Sequence, residues 1–77
     1  MSDRPTEDPL AMTRRHVLEA EGHVARQEIL VAKLDRNGQV ALAVQAREIL
    51  ATLKTSLKLA QEHLSIELGA RSQKPGR

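Results

Sequence analysis

The sequence contains no cysteine and no aromatic residue. The first absence excludes disulfide bonds and thiolate metal sites, and the second removes the rings on which single-stranded nucleic acids stack. Any core must therefore consist of leucine, isoleucine, valine and alanine, which suit close helix packing better than a β-sheet. The longest apolar run, residues 40–44, is five residues long. A membrane-spanning helix needs ~20, so we expect no membrane association.

Most of the chain also lacks a net excess of positive or negative charge. The net charge is +2, but residues 1–69 contain nine Lys and Arg against ten Asp and Glu. The positive excess comes from the last residues, Arg71, Lys74 and Arg77. This distribution weakens the electrostatic case for nucleic acid or anionic lipid as a partner. The N-terminal residues are polar and show no targeting pattern, so we expect a cytoplasmic protein.

Two apolar stripes of helical period are the dominant pattern, and a short turn at residues 35–38 joins them. The stripes consist of Leu10, Val17, Ala20, Val24, Val31 and Leu34, then Ala43, Ala46, Leu50, Leu53, Leu57, Ala60 and Leu64. Asn37-Gly38 would also suit a β-hairpin, but the flanking period of three to four residues excludes strands. The pattern predicts an all-α fold, an antiparallel two-helix hairpin of coiled-coil type.

Local signals set the expected boundaries. Asp8-Pro9 is a favourable helix start, because Asp caps free N–H groups and Pro is tolerated in the first turn. We predict a flexible arm over residues 1–8 and a hairpin over residues 9–68. Its helix 1 spans 9–36, its turn 37–39 and its helix 2 40–68. Gly69 is expected just beyond helix 2, as the first residue of a disordered basic tail over residues 69–77.

The predicted core includes one conspicuous polar residue, Gln27. The residues assigned to core and interface are Val17, Ala20, Val24, Gln27, Val31, Leu34, Leu50, Leu53, Leu57 and Leu64. Gln27 has two interpretations at this point. It either bonds locally at the edge of the seam, or it pairs across an interface and specifies register, as single buried polar residues do in coiled coils.

A lone hairpin buries only one face of each helix, so association is expected. Small chains usually depend on disulfides, metals or oligomerisation for stability. The prediction is a homodimeric four-helix bundle, with docking onto another helical protein as a second option. Helix 1 carries a further apolar stripe for such a contact: Leu18, Gly22, Ala25, Ile29 and Ala32. On helix 2, Leu59 and Ile66 share one heptad position and suggest a weaker secondary contact.

The residues with side chains capable of catalysis or metal binding form no catalytic pattern. His16, Glu19 and His23 resemble a metal-ligand cluster with His63, but the first two histidines are seven residues, about 10 Å, apart. Their neighbours do not fit a phosphoacceptor histidine either. The serines lack a base and an orienting group. We therefore expect no enzyme activity, no metal, no cofactor and no small-molecule substrate.

The alternative function is a nucleic-acid-binding regulator of the Rop type, a hairpin dimer that holds RNA on a helix face. The basic residues that would serve it are Arg14, Arg15, Arg26 and Lys33 on helix 1, or those of the basic tail. Glu19, Glu21 and Glu28 lie among them and would repel phosphate. Nucleic acid is therefore the less favoured partner.

Residues 23–38, His-Val-Ala-Arg-Gln-Glu-Ile-Leu-Val-Ala-Lys-Leu-Asp-Arg-Asn-Gly, carry a resemblance. They resemble the core of a group of small uncharacterised bacterial helical-hairpin proteins, and the similarity covers residues 16–67. The chain departs from the group after Gly38, where its members tend to have Asp or Thr as a helix cap and this sequence has Gln39-Val40. The resemblance implies a cytosolic bacterial hairpin and no particular activity. Together these observations predict a non-enzymatic interaction or oligomerisation module.

Overall fold

The computed structural model describes residues 8–72, and this part of the chain consists of two α-helices and no strand. Helix α1 spans Pro9–Arg36 and helix α2 spans Val40–Ser72. The two helices pack against each other in opposite directions, so the predicted all-helical hairpin is confirmed. At 1.5 Å per residue, α1 is about 42 Å long. Within residues 8–72, neither helix has a segment long and apolar enough to cross a membrane.

The start of α1 lacks the side-chain cap that was expected. Asp8 occupies the N-cap position and Pro9 the first turn, but the Asp8 carboxylate makes no capping hydrogen bond. The expectation of a carboxylate cap was therefore wrong. The Met12 amide donates to the Asp8 carbonyl at 3.0 Å, and the Thr13 hydroxyl donates to the Pro9 carbonyl at 2.9 Å.

The turn closes α1 with a Schellman motif. Gly38 has φ of +73° and is the only residue with positive φ in the described part of the chain. The Gln39 amide donates to the Leu34 carbonyl at 3.0 Å, and the Gly38 amide donates to the Asp35 carbonyl at 3.1 Å. This pair of bonds satisfies carbonyls that the end of a helix leaves open. The chain thus reverses within three residues, which places α2 directly against α1.

Helix α2 is longer than predicted. Its predicted end is Leu68, with Gly69 just beyond, whereas the helix continues through Gly69 to Ser72. Gly69 does not adopt the left-handed conformation that ends a helix, and Ala70 and Arg71 after it are good helix formers. The predicted tail is thus helical over its first four residues. Its remainder, residues 73–77, and residues 1–7 of the predicted arm lie outside the described residues.

The core is a single seam between the helices. Val17, Thr13, Ala43 and Ala46 are buried, the two alanines to 1% and 4% exposure. The rest of the seam is only half-buried: Leu10, Ala20, Val24, Gln27, Val31, Leu34, Leu50, Leu53, Leu57, Ala60 and Leu64. No large side chain in the described region is fully buried. The hairpin alone therefore leaves most of its aliphatic seam in partial contact with water.

Candidate interaction surface

Three polar contacts across the seam set the register of the two helices. Arg47 Nη2 contacts both carboxylate oxygens of Asp35, at 2.7 and 2.6 Å. Lys54 Nζ lies 3.8 Å from Glu28 Oε2. These two ion pairs are seven residues apart on each helix, so the helices follow one shared heptad period. The third contact is a hydrogen bond from Gln27.

Gln27 bonds across the hairpin of its own chain. Its Nε2 donates to the Ala46 carbonyl at 2.9 Å, and the side chain is half-buried. Alanine at position 46 leaves room for the amide to reach the α2 backbone. The bond joins the two helices, so it is not the local bond that the first interpretation of Gln27 expected. The partner is also the second helix of the same molecule, so the bond specifies how α1 and α2 align.

The two broad sides of the hairpin differ in charge. In an antiparallel helix pair, the e positions of both helices share one side of the seam and the g positions share the other. Asp35, Arg47, Glu28 and Lys54 occupy e positions, and we call their side the charged face. Their side chains are about half exposed, from 47% to 58%. The opposite side, at the g positions, is called the groove face.

The groove face has an open cavity near the turn, of about 330 Å³. Its walls come from both helices and are Gln27, Leu30, Leu34, Leu42, Gln45, Ala46 and Ile49. None of these residues is charged. Leu30, Leu42 and Ile49 are large apolar residues that stay exposed. The groove is thus an apolar surface with no partner within the hairpin.

The second stripe predicted on helix 1 does not line this groove. Leu18 and Ile29 are 66% and 68% exposed, and Ala25 and Ala32 are also exposed. Gly22 is half-buried, since the guanidinium of Arg26 approaches within 3.4 Å of the position that a Cβ would occupy. The stripe therefore has no contact with α2 that would bury it.

His23 and His63 each contact a side chain three or four residues away on the same helix. Arg26 Nη2 lies 3.1 Å from His23 Nδ1, and His63 Nε2 lies 3.4 Å from Glu67 Oε2. Residues 8–72 contain no group of three side chains placed to hold a metal ion.

The predicted RNA-contacting residues, Arg14, Arg15, Arg26 and Lys33, occupy heptad positions e, f, c and c. Arg15, Arg26 and Lys33 lie along one side of α1, where Glu19 lies 3.8 Å from Arg15, and Arg14 lies about 100° away around the helix.

Two features of the hairpin, one buried and one on its surface, were not predicted from the sequence. Thr13 is buried at 5% exposure although it is polar, because it occupies the d position of the heptad that precedes the one containing Ala20. Its hydroxyl is satisfied by the Pro9 carbonyl. The groove was also missed, although Leu30, Leu42 and Ile49 all sit at g positions. Pairing these positions across an antiparallel seam was the signal that would have found it.

Comparisons with protein-family models, with curated proteins and with solved structures each find no match to this chain.

Proposed function

We propose that this chain is a non-enzymatic self-association module that dimerises through its groove face into a four-helix bundle. The observation that carries the proposal is the uncharged apolar groove on the side of the hairpin opposite the two ion pairs. Apolar surface of this kind is stabilised when water is removed from it. The bacterial setting of the proposal rests on the sequence resemblance, and the cytoplasmic setting rests on that resemblance and on the polar N-terminal residues.

The size of the face suits a stable dimer. Two adjacent helices, each about 10 Å wide and about 42 Å long, present a face of roughly 800 Å². Standard protein interfaces bury ~800 Å² on each partner. A second hairpin laid on this face would also cover the half-buried leucines and valines of the seam. It would complete the core that one hairpin leaves open.

The charged face is the less favourable side for such a contact. Packing another hairpin over Asp35–Arg47 and Glu28–Lys54 would remove water from four charged groups. The desolvation penalty of buried ion pairs often exceeds their mutual attraction. Exposed pairs of this kind contribute ~0–1 kcal/mol and are compatible with solvent. The charge distribution therefore favours a dimer that keeps this face outside.

The experiment is the solution mass of the full chain by light scattering, over a dilution series at low and high salt. We expect a dimer whose dissociation constant hardly changes with salt, because aliphatic packing responds little to ionic strength. Ile49→Glu should weaken the dimer about a hundredfold or more, ~2.7 kcal/mol. It removes an apolar contact and places a charge in the interface twice, once from each chain.

Val44→Glu is the matched control. Val44 lies on the same helix at 46% exposure, close to the 53% of Ile49, but on the side of the charged face. We expect it to leave the mass unchanged, and circular dichroism should show both variants to be helical. A monomeric wild type would overturn the proposal. So would a dimer that Val44→Glu dissociates and Ile49→Glu does not.

A further inference from the structure

Helix α2 carries a second heptad strip beside the buried seam. Eight residues recur at alternating spacings of three and four, and we call them the outer strip: Leu42, Gln45, Ile49, Thr52, Ser56, Leu59, His63 and Ile66. All eight are exposed in the hairpin, and none is Lys, Arg, Asp or Glu. Within residues 40–70 the Lys, Arg, Asp and Glu residues occupy other heptad positions, and one of them, Glu67, lies 3.4 Å from His63 of the strip. Such a strip has the spacing of a coiled-coil contact, and α1 does not cover it.

The position of the outer strip around α2 matches that of a second neighbour. With 3.6 residues per turn, each residue advances by about 100°, which places the centre of the strip about 100° from the centre of the buried seam. A helix in a four-helix bundle contacts two neighbours roughly 90° apart around its axis. Helix α2 is thus arranged to contact α1 on one side and a further helix on the other.

The outer strip has the same order of apolar and polar residues in both directions along α2. Apolar residues stand at Leu42, Ile49, Leu59 and Ile66, and polar residues stand at the four positions between them, Gln45, Thr52, Ser56 and His63. The midpoint is Lys54. A second α2 running antiparallel would therefore place Leu42 against Ile66 and Ile49 against Leu59. It would place Gln45 against His63 and Thr52 against Ser56, so that each layer pairs residues of the same character.

The shape of the surface favours the antiparallel arrangement over the parallel one. The groove lies in the half of α2 near the turn, where Leu42 and Ile49 form part of its wall. Leu59 and Ile66, in the other half, project at 60% and 68% exposure. Antiparallel pairing brings these projecting side chains of one copy to the groove of the other. Parallel pairing would set groove against groove and leave both of them unfilled.

We propose that α2 pairs antiparallel with α2 of a second copy of this chain, about a twofold axis that passes between Thr52 and Ser56, at the height of residue 54. This inference rests on the proposed function, because it specifies how the dimer is built. The twofold axis makes the contact isologous: each groove receives the partner's Leu59 and Ile66. The polar layers at Thr52 and Ser56 oppose slippage, since a shift of one heptad would set Ile49 against Thr52 in one direction and Ser56 against Leu59 in the other.

Cysteine pairing tests this arrangement directly, because the chain contains no cysteine of its own. Leu42→Cys and Ile66→Cys chains are mixed, unfolded in urea, refolded together and exposed to a mild oxidant. We expect the mixture to form a disulfide-linked dimer at least tenfold faster than either variant alone. In a dimer of the Leu42→Cys variant alone, the two introduced thiols would lie about 36 Å apart along the helix axis, far beyond the ~7 Å limit for a disulfide.

Controls separate this inference from the proposed function. Val44→Cys mixed with Ile66→Cys should not link, and Ile49→Cys mixed with Leu59→Cys should repeat the result at an inner layer. A dimer by light scattering that links fastest in the Leu42→Cys variant alone would overturn the antiparallel arrangement and leave self-association intact. A dimer that links neither in the Leu42→Cys and Ile66→Cys mixture nor in the Ile49→Cys and Leu59→Cys mixture would also overturn the antiparallel arrangement and leave self-association intact. A monomer would overturn both proposals.

Discussion

The turn offers the sharpest quantitative prediction, the replacement of Gly38 by alanine. Gly38 has φ of +73°, and a Cβ added there would meet no atom within 4 Å. Steric contact with the rest of the molecule therefore contributes nothing, and the effect lies in the backbone. Left-handed conformation costs an L-residue ~1–2 kcal/mol, while alanine restricts the unfolded chain by ~0.4–1 kcal/mol. We expect Gly38→Ala to lower the free energy of unfolding by about 1 kcal/mol.

The assay is urea unfolding followed by circular dichroism at one fixed protein concentration, since association would make stability depend on concentration. Gly69→Ala is the matched control, because Gly69 is also open to solvent but lies within α2 with no positive φ. It should gain up to ~1 kcal/mol, since alanine is the better helix former. The same substitution should thus have opposite signs at the two sites. A Gly38→Ala variant whose free energy of unfolding equals or exceeds that of the wild type would refute the reasoning about the turn.

Two further substitutions test the seam and the second stripe of α1. Gln27→Glu should lower the free energy of unfolding by ~1–3 kcal/mol at neutral pH, because a carboxylate would face the Ala46 carbonyl where an amide now donates. Gln27→Met, of similar shape, should cost less in the same urea titration, and equal losses would show that the hydrogen bond does not matter. Gly22→Ala should stabilise the protein by ~1 kcal/mol, because only the flexible end of Arg26 lies nearby. A loss of stability or of dimer mass in that variant would instead show that another helix packs closely against Gly22.

Helix ends were less predictable than the helices themselves. The seam repeats over seven apolar positions in α2, so no single residue decides that this helix exists. Its end depends on one residue, Gly69, whose conformational freedom allows it either to stop a helix or to continue one. The structure shows it continuing to Ser72. At the start of α1, Asp8 was expected to cap free amides through its carboxylate, and this carboxylate makes no capping hydrogen bond.

The hairpin follows from local rules that can be read along the chain. A repeat of three and four residues makes a helix amphipathic wherever it sits, and Asn37-Gly38 supplies the left-handed residue that ends α1. The location of the candidate site does not follow from either helix alone. Leu30 belongs to α1 while Leu42 and Ile49 belong to α2, and they line one groove only because the two helices pack antiparallel in one register. Gln27 and the two ion pairs set that register through contacts between residues twelve to twenty-six positions apart. Periodicity within a helix therefore indicates which residues turn inward, and packing between helices decides which side of the pair is left open to a partner.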